Sequence, residues 1–196
     1  MFDGAVVPVT LEGRFVRLEP LMERHLPALV AAASESRENY QWTWVPDGNE
    51  AMQEWAAARF EEQERGTALP FATRDRATGR VVGATRFLRI EYWPWPAGNP
   101  NQRGEGVPDA VEIGGTWLAA SVQRTAVNTE AKLLMLTHAF ETWHVHRACL
   151  RTDERNARSR TAIERLGAHL DGILRAAEPA SDGAIRSTAV YSLLES

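Results

Sequence analysis

The N-terminal half of the chain changes between two spacings of apolar residues. In segment 10–19 apolar and polar residues alternate from Phe15 onward, which predicts a half-buried strand that stops at Pro20. Apolar residues then recur at helical spacing from Met22 to Ser34, where Pro27 fits only in the first turn of a helix. The same helical spacing returns over residues 49–64. The pattern therefore predicts one strand followed by two helices.

A β-hairpin is predicted after the second helix. Asn49 is the predicted N-cap of that helix, and Gly66 is expected to end it. Segments 69–75 and 80–90 both have the composition of strands, and Gly79 lies in the short connection between them. These features predict two antiparallel strands joined by a tight turn.

The C-terminal half alternates predicted strands and helices. Strands are predicted at 111–118, 147–152, 169–176 and 185–194, and helices at 128–143 and 157–166. Gly167 follows the last helix, where a left-handed residue commonly ends a helix. This order predicts an α/β (α+β) fold: a mixed, mostly antiparallel central sheet with a central parallel strand pair and helices on both faces.

Segment 91–109 interrupts this regular pattern. It is rich in proline and glycine, so we expect a long loop, and long loops in compact domains are usually functional. The chain has 196 residues, of which 44% are hydrophobic and 24% charged, as in a folded globular protein. We expect a single domain, 1–196, that carries this loop as an excursion.

Composition and charge argue against several classes of protein. A net charge of −4 disfavours general nucleic-acid binding, which needs an excess of Lys and Arg. Neither a leader-like start nor an apolar run of about 18 residues is present, so we expect a cytoplasmic protein with no membrane partner. Cys149 is the only cysteine, which rules out an internal disulfide, and His144 and His146 are too few to suggest a zinc site. No metal is expected.

A polar turn between a predicted strand and a predicted helix is a candidate anion site. The turn covers 121–127, and the helix is expected to open at Asn128. Unpaired N–H groups and the helix dipole favour a diphosphate there, and Arg124 and Lys132 would add positive charge. A simple capped connector is the alternative. The glycine patterns of P-loops and of dinucleotide-binding turns are both absent.

The motifs around this turn resemble the RimJ/RimL-type branch of the GNAT acetyltransferases. They are EIGGTWL, QRTAVNTEAKLLML, THAFE, RTDERNARSRTAIERLGA and LDGILR, and the resemblance continues in LEGRFVRLEPL near the start and DGAIRSTAVYSLL near the end. Segment 91–109 looks like an addition to that pattern. Ala126 and Asn128 stand where the family's pyrophosphate loop usually has glycine or a second small residue, and each side chain restricts close backbone approach. Asn tolerates left-handed backbone and can cap a helix, so the loop is still expected to bind.

The resemblance implies that acetyl-CoA is the acetyl donor, with its pantetheine arm between the strand ending at Leu118 and the strand at 147–152. The residues it assigns to acetyl-CoA are Trp117, Leu118, Gln123, Arg124, Thr125, Ala126, Val127, Asn128, Thr129, Lys132, Asn156 and Ser159. Asn156 would hydrogen-bond the pantetheine, and Ser159 would protonate the departing thiolate. The sequence alone leaves open a purely structural role, in which Asn156 caps the helix and Ser159 is its N3 residue.

Two carboxylates are candidates for the general base. Glu112 lies on the strand where many members of the superfamily have a glutamate, and burial in a cleft would make it a better base; a solvent-facing strand residue is the alternative. Glu178, in a predicted polar turn, is the rival. Cys149 is expected to be a buried structural residue, because no partner orients it with His146. His138, in the middle of a predicted helix, is not expected to be catalytic.

The predicted reaction is the direct transfer of an acetyl group to a primary amine, without a covalent enzyme intermediate. The amine would be a protein N-terminus or a small amine resembling an amino acid. Four tryptophans are candidate contacts for an apolar or aromatic acceptor: Trp42, Trp44, Trp93 and Trp95. The alternatives are a non-catalytic acyl-CoA-binding module and an interaction protein that uses the excursion to pair with a partner or as a homodimer.

Overall fold

The computed structural model describes residues 6–195, and its centre is an eight-stranded sheet. The strands are β1 (Leu11–Glu12), β2 (Val16–Pro20), β3 (Ala68–Asp75), β4 (Val81–Glu91), β5 (Ala110–Leu118), β6 (Arg147–Asp153), β7 (His169–Pro179) and β8 (Ile185–Leu194). They lie in the order β1-β2-β3-β4-β5-β6-β8-β7. Neighbours are antiparallel except β5 and β6, which form the central parallel pair. The predicted mixed sheet is confirmed.

Within residues 6–195 four α-helices accompany the sheet: α1 (Leu26–Ser34), α2 (Gly48–Glu64), α3 (Ala126–Thr137) and α4 (Ala157–Glu164). Adjacent residues of a strand point to opposite faces of its sheet. Thr85 of β4 contacts Lys132 of α3, whereas the next residue, Arg86, contacts Glu62 of α2. Helices α2 and α3 therefore cover opposite faces, as the sequence predicted.

Most of the predicted elements are present, with shifted boundaries. A 3-10 turn at Glu23–His25 leads into α1, and Pro27 lies in its first turn as expected. Helix α2 begins at Gly48 with Asp47 at the N-cap position, so the predicted cap at Asn49 is wrong. Strands β3 and β4 form the predicted hairpin, whose turn has Gly79 at φ 70°.

Two boundaries in the C-terminal half change the interpretation of the site. Helix α3 begins at Ala126, two positions before the predicted start at Asn128, and a π-helical turn at His138–Thr142 extends it. Strand β7 continues to Pro179, so Glu178 lies in a strand and not in the predicted turn. Gly167 has the expected left-handed backbone, with φ 87°.

The predicted excursion at 91–109 contains no helix and no strand beyond the end of β4 at Glu91. Asp109 anchors it: its carboxylate accepts the backbone N–H of Trp93 and the indole N–H of Trp95, each at 2.6 Å. The Trp93 ring also stacks on His146, with the ring centres 5.6 Å apart. The loop is therefore held against the start of β5 and β6.

Candidate active site

The two parallel strands separate part-way along their length. Their pairing runs from Ala110 with Arg147 to Glu112 with Cys149, after which β5 continues to Leu118 and β6 to Asp153 without pairing to each other. The carbonyl of Leu118 accepts hydrogen bonds from the Tyr40 hydroxyl at 3.0 Å and from Gln123 Nε2 at 2.9 Å. A gap bordered by β5 and β6 therefore opens toward the turn that precedes α3.

That turn presents backbone N–H groups at the start of α3. Thr125 is the N-cap, and its hydroxyl accepts the N–H of Val127 at 3.3 Å. The exposed residue Arg124 has a left-handed backbone, with φ 62°, which is uncommon for a residue with a side chain. The first N–H groups of a helix lack partners within the helix, and its dipole places positive charge there. The turn has the geometry of an anion site.

Ala126 and Asn128 therefore occupy helical positions. Ala126 is the first residue of α3, and Asn128 lies inside the helix, so the predicted capping by Asn128 is wrong. Thr125 does the capping because its hydroxyl is one residue before the helix begins. Val127 is buried beneath the turn, while Thr129 is exposed.

Gln123 links three parts of the candidate site. Its Nε2 donates to the Leu118 carbonyl, and its Oε1 accepts from Arg158 of α4 at 2.8 Å. Arg158 also reaches Asn39 in the connection between α1 and α2, at 3.4 Å. Gln123 therefore holds the end of β5 against α4 through both polar atoms of its side chain.

Lys132 points into the protein and not toward the turn. Its Nζ donates to Thr116 Oγ1 at 2.5 Å and to Thr85 Oγ1 at 3.1 Å, and 6% of the residue is exposed. Burial lowers the pKa of this amine to about 7. The expectation that Lys132 adds charge at the turn is not supported, because its nitrogen is held between β4 and β5.

A cleft of about 50 Å³ lies between α3 and α4. Asn128, Thr129 and Lys132 line one side, and Ala162, Arg165 and Leu166 line the other. The Oδ1 atom of Asn128 is buried without a hydrogen-bond partner, as is the indole N–H of Trp117. Three features fit a long ligand with phosphate and amide groups: the orphaned polar atoms, the start of α3 and the separated strands β5 and β6. Acetyl-CoA is a ligand with this chemistry.

Asn156 and Ser159 show the local arrangement that the sequence left open. Asn156 is the N-cap of α4, and its Oδ1 accepts the backbone N–H of Ser159 at 3.0 Å. Both residues are half-buried. The cap occupies Asn156 Oδ1, whereas the hydroxyl of Ser159 makes no hydrogen bond with the described chain. The helix cap therefore explains why an asparagine is present at position 156, and the hydroxyl of Ser159 stays free to contact a ligand.

Glu112 lies at the point where the parallel strands separate. It is 7% exposed, and its Oε2 accepts from Arg89 Nη1 at 2.8 Å and contacts Arg151 Nε at 3.1 Å. Its Oε1 takes no part in these contacts and lies 3.2 Å from the position that a Cβ on Gly114 would occupy. Glu112 is therefore buried and not solvent-facing, the two positions that the sequence left open. One of its oxygens is engaged by arginines, and the other lies beside Gly114 and Leu88.

The other candidates for chemistry lie elsewhere or are engaged. Glu178 pairs with Arg186 across β7 and β8 at 2.8 Å. Cys149 is buried, and that burial raises the pKa of its thiol. Burial lowers the pKa of His138, whose ring packs against Phe87 and Trp143. Glu178 and His138 lie away from the point where β5 and β6 separate, whereas Cys149 lies beside Glu112 there with its thiol buried.

The four candidate tryptophans are divided between two ends of the β5–β6 pair. Trp42 packs under the guanidinium of Arg155, just after β6, with 4.4 Å from Cζ to the ring centre, and Trp44 is 60% exposed in the same connection. Trp93 and Trp95 instead bind Asp109, just before β5. They are not brought together with the first pair.

Sequence reasoning missed a cluster of charges on the α2 side of β5. Glu62 of α2 accepts from Arg59 at 3.0 Å and from Arg86 of β4. No motif marks these residues, because they come from a helix and a strand that are far from the recognisable turn.

Comparison with known proteins agrees with this geometry. A family model described as an acetyltransferase (GNAT) domain matches residues 16–169. The chain belongs to the GNAT acetyltransferase family. No curated protein shows significant similarity to it. This GNAT protein has the predicted enzyme class, an acetyl-CoA-dependent N-acetyltransferase, and the predicted fold class is confirmed.

Solved structures extend the comparison. A GCN5-related N-acetyltransferase from Brucella melitensis is 28% identical, with a TM-score of 0.79, and the alignment covers 96% of this chain and 79% of that one. A T. thermophilus protein described as a candidate acetyltransferase is 30% identical, with a TM-score of 0.74 and coverages of 97% and 91%. RimL, a ribosomal L7/L12 alpha-N-protein acetyltransferase in complex with coenzyme A, shares the fold at 19% identity, with a TM-score of 0.75 and coverages of 95% and 98%.

Residues 6–195 contain neither a candidate membrane span nor a candidate metal cluster. None of the helices there is long and apolar enough to cross a membrane. Nor does that part of the chain contain a group of three or more His, Cys, Asp or Glu residues placed to hold a metal ion.

Proposed function

We propose that this GNAT protein acetylates a primary amine by direct attack on acetyl-CoA, and that it belongs to the RimJ/RimL-like branch. The observation that carries the proposal is the separation of β5 from β6 beyond Glu112 and Cys149, next to the N–H groups at the start of α3. The motifs shared with that branch support the assignment. The acceptor is a protein N-terminus or a small amine. The whole chain forms a single domain, and the protein is cytoplasmic.

The site residues have the following proposed roles toward acetyl-CoA. The N–H groups at Thr125 and Ala126, with the nearby charge of Arg124, bind the diphosphate, which needs no metal for neutralisation there. Trp117 and Asn128 offer their orphaned polar atoms to the ligand. Bound acetyl-CoA supplies an activated thioester, and Asn156 and Ser159 lie at its thiol end, where the Ser159 hydroxyl protonates the leaving sulfur.

The backbone N–H of Leu118 is the proposed hydrogen-bond donor to the carbonyl oxygen of the acetyl group. The N–H of Ala119 donates to Val82 of β4 at 2.7 Å. Successive N–H groups of a strand point to opposite sides. The N–H of Leu118 is therefore directed to the other side of β5, where the gap lies and where its carbonyl meets Tyr40 and Gln123. A preorganised donor there stabilises the developing negative charge.

Glu112 is the proposed general base. Its Oε1 lies beside Gly114, which has no side chain of its own, and Leu88 Cδ2 borders the same position, while Arg89 and Arg151 hold Oε2 and fix the orientation of the carboxylate. A positioned carboxylate that removes the proton of the attacking amine is ordinary general-base catalysis.

A screen of amines with mass detection of the acetylated product tests the proposal. The panel contains N-terminal peptides, amino acids and simple amines, and release of free thiol from acetyl-CoA is followed in parallel. Acetylation of any member supports the proposal. Binding of acetyl-CoA without thiol release across the whole panel would favour the alternative, a non-catalytic acyl-CoA-binding module, which the replacement of loop glycines by Ala126 and Asn128 suggests.

A further inference from the structure

Gly114 and Gly115 leave a strip of bare backbone on the α2 side of β5, next to Glu112. Gly115 is exposed, with φ 58°, and a Cβ there would come within 2.9 Å of Arg86 Nε. At Gly114 a Cβ would come within 3.2 Å of both Glu112 Oε1 and Leu88 Cδ2. Arg86 and Gly114 are directly paired across β4 and β5, so the arginine and the carboxylate flank the same strip.

Positive charge exceeds negative charge around this strip. Arg59 and Arg86 share the single carboxylate of Glu62, while Arg89 and Arg151 share that of Glu112. Four guanidinium groups are thus balanced by two carboxylates, although the whole chain has a net charge of −4. The excess is a local property of this surface.

Several N–H groups of these arginines have no partner. The Nε atoms of Arg59 and Arg86 are buried without a hydrogen bond, and Arg86 Nη2 donates to no residue among 6–195. Burial, followed by the charge of Arg86, lowers the pKa of the Arg59 guanidinium. Each arginine side chain is nevertheless partly exposed, 18% for Arg59 and 15% for Arg86. An anion at this exposed part would form charge-assisted hydrogen bonds with the guanidinium groups.

We infer that the strip is an anion subsite and that the acceptor amine carries a carboxylate, which lies over Gly115 against Arg86 and Arg59. This inference rests on the proposed function, because it places the amine beside Glu112 Oε1. Adjacent Cα atoms are about 3.8 Å apart, so the amine over Gly114 and the anion over Gly115 are separated by roughly one residue. The chemistry fits the α-carboxylate of an amino acid or a side-chain carboxylate in a peptide.

Matched acceptor pairs test the inference. Each pair has the same amine with a carboxylate in one member and its amide in the other: an amino acid and its amide, and two peptides that differ by Asp or Asn at the second position. We expect kcat/KM to favour the carboxylate member of at least one pair by about tenfold or more, as for a charge-assisted hydrogen bond. The pair that shows the preference identifies the source of the carboxylate.

Arg86→Gln should reduce this preference by about tenfold, because the carboxylate loses its nearest donor while the amide loses little. Arg86→Lys, which keeps the charge but not the planar fork, should restore part of it. Arg65→Gln is the matched control. Arg65 directly follows α2 and makes an exposed ion pair with Glu61, so this variant should leave the preference unchanged. Thermal melting confirms that each variant is folded.

Should Arg86→Gln fail to fold, inhibition of the wild-type enzyme gives the same information. The deaminated acid of the best acceptor should compete with that acceptor more strongly than the deaminated amide does. Equal acetylation of carboxylate and amide members, or equal inhibition by acid and amide, overturns the anion subsite while leaving acetyl transfer intact. Absence of acetylation for every amine overturns the proposed function itself.

Discussion

Glu112 of β5 is paired with Cys149 of β6, and beyond this pair the two parallel strands are no longer hydrogen-bonded to each other. The last shared position therefore carries a buried carboxylate at the apex of the gap between the strands. One oxygen of that carboxylate is held by Arg89 and Arg151, and the other faces the backbone of Gly114. The separation of the two strands therefore places the candidate base, Glu112, at the inner end of the gap.

Glu112→Gln should lower kcat by about 100-fold or more, since a positioned base typically contributes that much. The amide keeps the shape of the side chain but cannot remove a proton. The loss should be greatest at low pH, where little of the amine is already neutral. A pH–rate profile of acetyl transfer measures both effects.

Glu178→Gln is the matched control for this substitution. Glu178 pairs with Arg186 on the β7–β8 hairpin, away from the apex, so its variant should retain the activity of the wild type. If Glu178→Gln loses activity while Glu112→Gln keeps it, the base has been assigned to the wrong carboxylate.

Ser159→Ala should slow turnover by about tenfold or more while acetyl-CoA still binds, because the variant removes the proposed proton donor to the leaving thiolate. The backbone N–H of Ser159, which Asn156 caps, stays in place, so α4 should keep its start. Single-turnover kinetics together with equilibrium binding of acetyl-CoA separate the two effects. Weakened binding with unchanged turnover would indicate a binding role instead.

The sequence predicted the sheet and its parallel pair because apolar spacing is a local property. Strands at 111–118 and 147–152 and the hairpin around Gly79 are within a few residues of those in the structure. Helix starts were less predictable: Asn128 is a better capping residue by type, but Thr125 has the position from which a hydroxyl reaches a free N–H. Which residue caps α3 depends on where the preceding strand, β5, ends.

The candidate site was predictable only where a motif passes through it. Glu112 and Ser159 belong to recognisable segments, whereas Arg86 and Glu62 come together only when β4 and α2 pack against each other. Lys132 illustrates the opposite error. Its charge suggested that it binds the diphosphate, but its position in α3 directs the amine inward to Thr85 and Thr116.

Trp44→Ala and Trp93→Ala should have different effects. Trp44, exposed in the connection that also holds Trp42, is a candidate acceptor contact, and its loss should raise KM for the acceptor more than KM for acetyl-CoA. Trp93 fastens the excursion through Asp109 and His146. Its loss should lower the free energy of unfolding by about 1–3 kcal/mol and should not change the acceptor KM selectively. Steady-state kinetics and urea unfolding distinguish the two, and a selective acceptor effect of Trp93→Ala would contradict this division.

Lys132→Met should stabilise the protein at neutral pH. Lys132 is the only lysine of the chain, and burial lowers the pKa of its amine from 10.5 to about 7. Between these two values the unfolded chain holds a proton that the folded chain does not, so the free energy of unfolding rises with pH in this window. Below about pH 7 both states are protonated and the cost of the buried charge is fully present.

Methionine fills a similar volume without a charge and without a donor that needs Thr85 and Thr116. The free energy of unfolding of the variant should therefore exceed that of the wild type by on the order of 1–3 kcal/mol at about pH 7. This difference should diminish as the pH rises toward about 10. Urea unfolding of both proteins across that range measures the difference, in which the titration of Tyr and Cys residues common to both cancels. A difference that does not depend on pH would mean that the Lys132 amine keeps its proton in the folded chain.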